Sequence, residues 1–328
     1  MPVPGPNDTH YVAEVCALIE SVLRSNLGEQ PFLECLEFAL QNTSLKEGQD
    51  APLVLLPIWA CQAAGGDPQH ATTVSAAWCL LHTAALLLDD VEDGELASKT
   101  WPAMSPAQGI NVATAFVFAA QLVLEHLFAS MADVDSAVAI WRSFNRASLQ
   151  VCAGQHLDLA AGVTTLEQYW QIAAAKSGCS FSLACRAGAM LGTKDSRLVD
   201  RYADFGYNLG ILVQISDDFN GVWNPIGRND LVTGSTTLPV IYMLSVGTPE
   251  ARKRLRELLE RAPVEPAALA EIQEIAADLG ALQYLVVKAE AYRAQARVAL
   301  PSPEVHNPAH DQLLALLNRV MAVLSVAR

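Results

Sequence analysis

Carboxylates stand in this chain where an apolar helix would exclude them. Leu86-Leu87-Leu88 runs directly into Asp89-Asp90-Val91-Glu92-Asp93. Far along the chain, Leu212-Val213-Gln214-Ile215-Ser216 runs into Asp217-Asp218-Phe219-Asn220. Helical residues four apart share a face, so Asp89 and Asp93 point the same way with Asp90 beside them. In the second stretch Gln214, Asp217, Asp218 and Gly221 fall on one stripe at i, i+3, i+4 and i+7. An unpaired carboxylate is costly to bury, and a divalent cation offsets that cost. Oxygen ligands suit Mg²⁺, which keeps several waters and binds through one or two carboxylates plus substrate phosphates. Two such clusters facing each other would hold a diphosphate between metal ions at the mouth of an apolar cavity. Between them, Gln155 and Asp158 stand three apart in apolar helical sequence, and Lys176 is a lone lysine in the largely uncharged stretch after Tyr169. A half-buried lysine wants an anion, either a diphosphate or a carboxylate; a lysine that lays its stem on apolar surface is the plainer alternative.

The elements that must position these groups read as helices. Apolar periodicity predicts helices over Tyr11–Asn26, Pro31–Asn42, Ala51–Ala64, Ala71–Glu92, Pro106–Met131, Val134–Ala161, Thr165–Met190 and Ser196–Val222. Shorter ones are predicted over Thr237–Ser245, Pro249–Ala262, Pro266–Leu279, Ala281–Leu300 and Asp311–Val326. Ala71–Asp89 and Pro106–Leu127 lack a clean polar face, which places them in the centre of a bundle. Strand-like alternation between hairpin turns is absent. Without a Gly/Ser/Pro-rich linker or a repeat, residues 1–328 read as one all-α domain. Hydrophobic residues make up 52% of the chain and its net charge is −14, with a pI near 4.9. That balance argues against a nucleic-acid binder. No uninterrupted apolar run reaches the roughly 20 residues of a bilayer span, so an integral membrane protein is not expected. The seven scattered cysteines, without zinc-like spacing, and an N-terminus without a signal-peptide pattern are those expected of a reduced, cytoplasmic protein.

From about Pro31 to Leu300 the chain resembles the trans-isoprenyl diphosphate synthase (polyprenyl synthetase) family. The resemblance rests on ordered motifs. Asp89-Asp90-Val91-Glu92-Asp93 is similar to the family's D-D-x-x-D, Gly154-Gln155-His156-Leu157-Asp158-Leu159 to G-Q-x-x-D-L, and Lys176-Ser177 to K-T. Gln214 to Asp218 is similar to Q-x-x-D-D, and Asp230-Leu231-Val232-Thr233-Gly234-Ser235-Thr236-Thr237-Leu238-Pro239 to D-L-x-E-G-K-x-T-L-P. The resemblance implies the isoprenoid synthase fold, an all-α central bundle around a deep apolar cavity, in a homodimer. It implies Mg²⁺, three ions in the family, held by Asp89, Asp90, Asp93, Asp217 and Asp218, with Lys176 among the catalytic groups. An allylic prenyl diphosphate would be ionised there, with Gln155, Asp158, Gln214 and Asp230 among the substrate contacts, and Lys99 and Arg228, with Lys176, as the cations left to hold isopentenyl diphosphate. Ala84 and Ala85, at the positions that line the tail pocket in the family, imply room for a long tail.

The sequence departs from the pattern where the family holds isopentenyl diphosphate. Its G-G-K-x-x-R-P falls on Lys46 to Pro52, with Gly48 and Ala51 at the Lys and Arg positions. Its R-R-G-x-P reads Ser98-Lys99-Thr100-Trp101-Pro102, and its E-G-K reads Thr233-Gly234-Ser235. The third aspartate of the second motif is Gly221. Two or three lost charge-assisted hydrogen bonds, at about 1.5–3 kcal/mol each, would weaken that substrate by orders of magnitude. Three readings stay open. One is a prenyltransferase whose acceptor is isopentenyl diphosphate or another nucleophile. The second is a terpene cyclase or diphosphate lyase, with Trp78, Phe116, Phe118, Phe181 and Phe219 as candidates to stabilise a cation. The third is a non-catalytic partner subunit, against which the retained aspartates speak.

Overall fold

The computed structural model describes residues 6–41, 51–96, 101, 103–131, 133–161, 165–223, 230–233, 237–301 and 306–324. Among the described residues every regular element is helical. The chain divides into two compact units. The first takes Met1–Ser148, Phe181–Gly206 and Ala299–Leu316; the second takes Leu149–Ser180, Tyr207–Val298 and Leu317–Arg328.

In the first unit, α1 (Pro6–Leu27), α2 (Pro31–Gln41), α3 (Ala51–Val54) and α4 (Leu56–Ala63) lead to α5 (Thr72–Glu92) and α6 (Pro106–Ser130). The sequence predicts one helix over Ala51–Ala64, but a turn at Leu55 splits it. Pro57, in the first turn of α4, has no N–H to continue the ladder back into α3. Helices α5 and α6 pack along each other, and α1 lies against both. Trp78, Leu80, Leu87 and Phe116 from this pair are sealed from solvent. The start of α6 is fixed by a capping box, in which Ser105 and Gln108 satisfy each other's backbone N–H groups ahead of Pro106.

Pro68–Glu92 and Pro106–Ser130 are each long and apolar enough, by length and composition, to cross a bilayer. This corrects the count of uninterrupted apolar runs, which isolated polar residues break. In Pro68–Glu92, 61% of the most apolar window is buried inside the protein, as befits a core helix.

Helix α7 (Val134–Ala161) runs on from the first unit into the second. Next come α8 (Leu166–Ala173), a π-turn at Ala174–Gly178, α9 (Cys179–Gly192), α10 (Ser196–Trp223) and the short α11 (Asp230–Thr233). Helices α12 (Leu238–Val246), α13 (Pro249–Arg261), α14 (Pro266–Asp278), α15 (Ala281–Ala299) and α16 (Pro308–Val323) complete the chain. The core of the second unit gathers Val222, Leu231, Val240, Met243, Leu255, Leu258 and Ile272. All seven cysteines are free; Cys61, Cys79 and Cys185 are buried, and Cys152 is exposed.

Candidate functional site

The first acidic cluster is placed by the way α5 ends. Gly94 takes φ +73°, the left-handed conformation that terminates a helix. Its N–H bonds the Val91 carbonyl at 3.2 Å, and the Glu95 N–H reaches back to the Asp90 carbonyl at 2.8 Å. This is a Schellman cap. It sets Asp89 and Asp90 in the last turn, with Asp93 as the C-cap residue. The negative end of the helix dipole lies there, so carboxylates gathered at this end repel it and each other, and a cation relieves both. Asp90 is 7% exposed, and its Oδ2 accepts a 2.7 Å hydrogen bond from the Trp101 indole N–H. Asp89 is half-buried and Asp93 exposed. Trp101 is not a residue that sequence reasoning singles out; its one signal is an indole at the edge of the acidic motif.

Further up the same helix, His82 stacks on Trp78 at 4.9 Å with 9° between planes, and Phe181 meets both edge-on. Burial pushes the His82 imidazole down to about 4, which leaves it neutral at pH 7. Ala84 is sealed at 2% exposure and Ala85 is half-buried. Of the five aromatics considered for a cation, Phe118 is 65% exposed and lies on the surface.

The second cluster lies in the second unit and is braced. Asp218, 5% exposed, receives three donors. The Tyr169 hydroxyl of α8 donates at 2.8 Å, the Gln214 amide one turn earlier at 2.9 Å, and the Leu238 N–H that opens α12 at 2.7 Å. Gln214 in turn accepts from the Ser177 hydroxyl at 2.7 Å. Burial raises the Asp218 carboxyl to about 6, against the lowering by its donors; the Asp230 charge adds to the rise. Burial, and then the Asp218 charge, holds the Tyr169 phenol far above its usual range. Asp217, one residue earlier, is exposed.

Lys176 sits in the π-turn, where the sequence alone predicts uninterrupted helix. The inserted residue rotates the downstream helix by about 100° relative to an unbroken one. A Cβ at Gly154 would meet the Ala175 Cβ at 2.7 Å and the Lys176 Cγ at 3.2 Å, so only glycine lets α7 lie this close. The Lys176 ammonium pairs with Asp158 at 2.9 Å, and Gln155 is half-buried on the same stretch of α7. Asp158, Tyr169, Ile172, Ala173, Lys176, Gln214 and Asp218 line one small recess. Sequence reasoning misses Tyr169; its one signal is a spacing of seven residues before Lys176, which in an unbroken helix would put both on one face.

Of the residues proposed from sequence, Asp158, Lys176, Gln214 and Asp218 therefore come together. Asp230 is buried against α10 near Asp218. Lys99 and Arg228 lie outside the described residues, as do Gly48 and Ser235. Among the described residues no group of three or more His, Cys, Asp or Glu side chains forms a ready-made metal cage. The half-buried Asp89 and the exposed Asp93 and Asp217 are hard oxygen donors of the kind a divalent ion such as Mg²⁺ takes when water and phosphate oxygens complete its shell.

Residues 51–276 match the polyprenyl synthetase family, and the chain belongs to that family of prenyltransferases in isoprenoid biosynthesis, which bind diphosphate substrates with divalent metal. It is 32% identical over 220 residues to geranylgeranyl diphosphate synthase of Mycobacterium tuberculosis, a match spanning 64% of this chain and 61% of that protein. It is 28% identical to a short chain isoprenyl diphosphate synthase of Methanothermobacter thermautotrophicus, across 70% of this chain and 73% of the other. Among solved structures, a polyprenyl synthetase from Streptomyces coelicolor superposes with a TM-score of 0.81 at 23% identity, over 95% of this chain and 98% of that one. The polyprenyl synthase from Caulobacter crescentus, solved with calcium and isoprenyl diphosphate, gives 0.78 at 24% identity, over 96% and 95%. These likenesses establish the isoprenoid synthase fold.

Proposed function

We propose that this chain is a Mg²⁺-dependent prenyltransferase that ionises an allylic prenyl diphosphate and passes the prenyl group to an acceptor. The observation that carries the reading is the recess in which Lys176, Asp158 and Gln214 adjoin the braced Asp218, with Asp217 left exposed beside it. Asp89, Asp90 and Asp93 at the end of α5, and Asp217 on α10, are the groups that would hold Mg²⁺. When bound, Mg²⁺ supplies charge stabilisation for the diphosphate as the allylic C–O bond breaks. Lys176 is poised to exchange Asp158 for a diphosphate oxygen, which swaps one charge-assisted hydrogen bond for another. Asp218, with Tyr169 and the start of α12, keeps Asp217 at a fixed register. Ile110, Phe118 and Phe128 expose apolar surface on α6, which supports a homodimer.

A second reading is favoured by the residues at 48, 51 and 235. Gly48, Ala51 and Ser235 stand where the family pattern has cations, which weakens a site for isopentenyl diphosphate. In that reading the cation is quenched internally or by water, as in a terpene cyclase or lyase.

The test gives purified protein and Mg²⁺ geranyl, farnesyl or geranylgeranyl diphosphate, each with and without isopentenyl diphosphate. Products are read by gas chromatography–mass spectrometry before and after phosphatase. A longer prenyl diphosphate formed only with isopentenyl diphosphate establishes elongation. A hydrocarbon or alcohol from the allylic substrate alone establishes the second reading. No diphosphate release from any substrate rejects both.

A further inference from the structure

Position 221 reads in the sequence as a loss, a glycine on the stripe that carries Gln214 and Asp217. The structure shows what the missing side chain admits. A Cβ built on Gly221 would fall inside the Asp230 carboxylate. Asp230 opens α11, is 5% exposed, and lies close enough for its charge to act on Asp218. Position 221 comes four residues after Asp217, so both face the same side of α10. A carboxylate is therefore present on this stripe, delivered by another element.

We propose that Gly221 and Asp230 act as a coupled pair: the glycine is the seat of the Asp230 carboxylate, which stands on the α10 stripe in place of an aspartate at 221. Asp230 is then a positioning residue. Its burial keeps it from replacing Asp217 as a direct ligand. It acts through its negative charge on a cation held at Asp217. The seat also pins the start of α11 to α10. Any side chain at 221 displaces the carboxylate, including the aspartate that would restore the family motif.

The inference rests on the metal-dependent reading, so its test includes a readout independent of turnover. Mn²⁺ with inorganic pyrophosphate serves as the probe, followed by electron paramagnetic resonance, beside diphosphate release from farnesyl diphosphate and thermal melting. Asp230→Asn keeps the shape of the side chain and removes its charge. It is expected to melt like the native protein while Mn²⁺ affinity and release fall, on the scale of 10- to 100-fold typical of residues behind metal ligands. Gly221→Ala and Gly221→Asp are expected to fall similarly. The decisive variant is Gly221→Asp with Asp230→Ser, which moves the carboxylate onto α10 and vacates its old place. Recovery of Mn²⁺ affinity above both Gly221→Asp and Asp230→Ser establishes the exchange. The proposal is overturned by native Mn²⁺ affinity in Asp230→Asn, or by a double variant no better than the single ones. If the native protein releases no diphosphate, the prenyltransferase reading fails, while the Mn²⁺ titrations still decide the pair.

Discussion

Tyr169→Phe tests how the second motif is held, because it deletes one oxygen from a buried contact. Tyr169 and Asp218 are 6% and 5% exposed, and the 2.8 Å bond between them joins α8 to α10. A hydrogen bond to a charged acceptor contributes about 1.5–3 kcal/mol. With Asp218 only 5% exposed, little solvent is at hand to replace a lost donor. Tyr169→Phe should therefore lower unfolding free energy by about 2 kcal/mol. In an Asp218→Ala background the hydroxyl has lost this acceptor, and the same substitution should cost about nothing or stabilise, because removing an unpartnered buried hydroxyl relieves its desolvation penalty. Urea unfolding of the four proteins closes the cycle. A Tyr169→Phe cost below about 0.5 kcal/mol, or one equal in both backgrounds, would refute the clamp.

Other outcomes rest on single features. Gly94→Ala should lower stability by about 1–2 kcal/mol through the left-handed backbone alone, since nothing lies within 4 Å of the new methyl; an unchanged urea midpoint contradicts the cap. His82 titrates near 4 in the fold against 6.5 unfolded, so its contribution is complete above pH 6.5 and is lost as pH falls towards 4. At 1.36 kcal/mol per unit that amounts to at most about 3 kcal/mol. His82→Phe keeps an aromatic ring on Trp78 and removes the proton site, so native-minus-variant stability should fall across that window; a flat difference argues against a buried neutral imidazole. Lys176→Met breaks a pair whose side chains are 22% and 34% exposed, a loss of up to about 1 kcal/mol of stability. Its KM for the allylic diphosphate should rise roughly 10- to 100-fold, from about 1.5–3 kcal/mol of lost contact; an unchanged KM removes Lys176 from the substrate site.

The helices were legible because apolar spacing and breakers agree. Val134–Ala161 has the bounds its periodicity predicts, and Pro106 and Pro249 open helices where a hydroxyl cap precedes a proline. What was illegible has physical reasons. Leu53 to Cys61 is apolar throughout, so no change of period announces the turn at Leu55. Ala173-Ala174-Ala175-Lys176-Ser177-Gly178 satisfies an α-turn and a π-turn alike, and the close approach of Gly154 to Ala175 and Lys176 is a long-range contact that no local pattern announces. Tyr169 and Asp218 are 49 residues apart, and no local rule pairs them. Gly221 shows the limit most plainly, for a sequence registers a missing side chain and not what occupies its place.

The two acidic motifs, alike as strings, are different physical objects. At the end of α5, the cap and the helix dipole leave the half-buried Asp89 and the exposed Asp93 in a negative potential, a poor place for carboxylates and a good one for a cation. On α10, Asp218 is committed to α8, its own helix and the first N–H of α12, where the positive end of that helix favours it. A carboxylate with three protein donors has little left to give a metal, whereas its neighbour Asp217 is exposed. Of the second motif's adjacent pair, one aspartate is thus bound into the scaffold, and the other, exposed, is the one that would reach a metal-bound diphosphate in the proposed reaction. The distinction predicts opposite phenotypes: Asp217→Asn should leave stability near native and abolish metal-dependent release, whereas Asp218→Ala should lower both. Equal loss of stability in the two variants would show that the pair is not divided in this way.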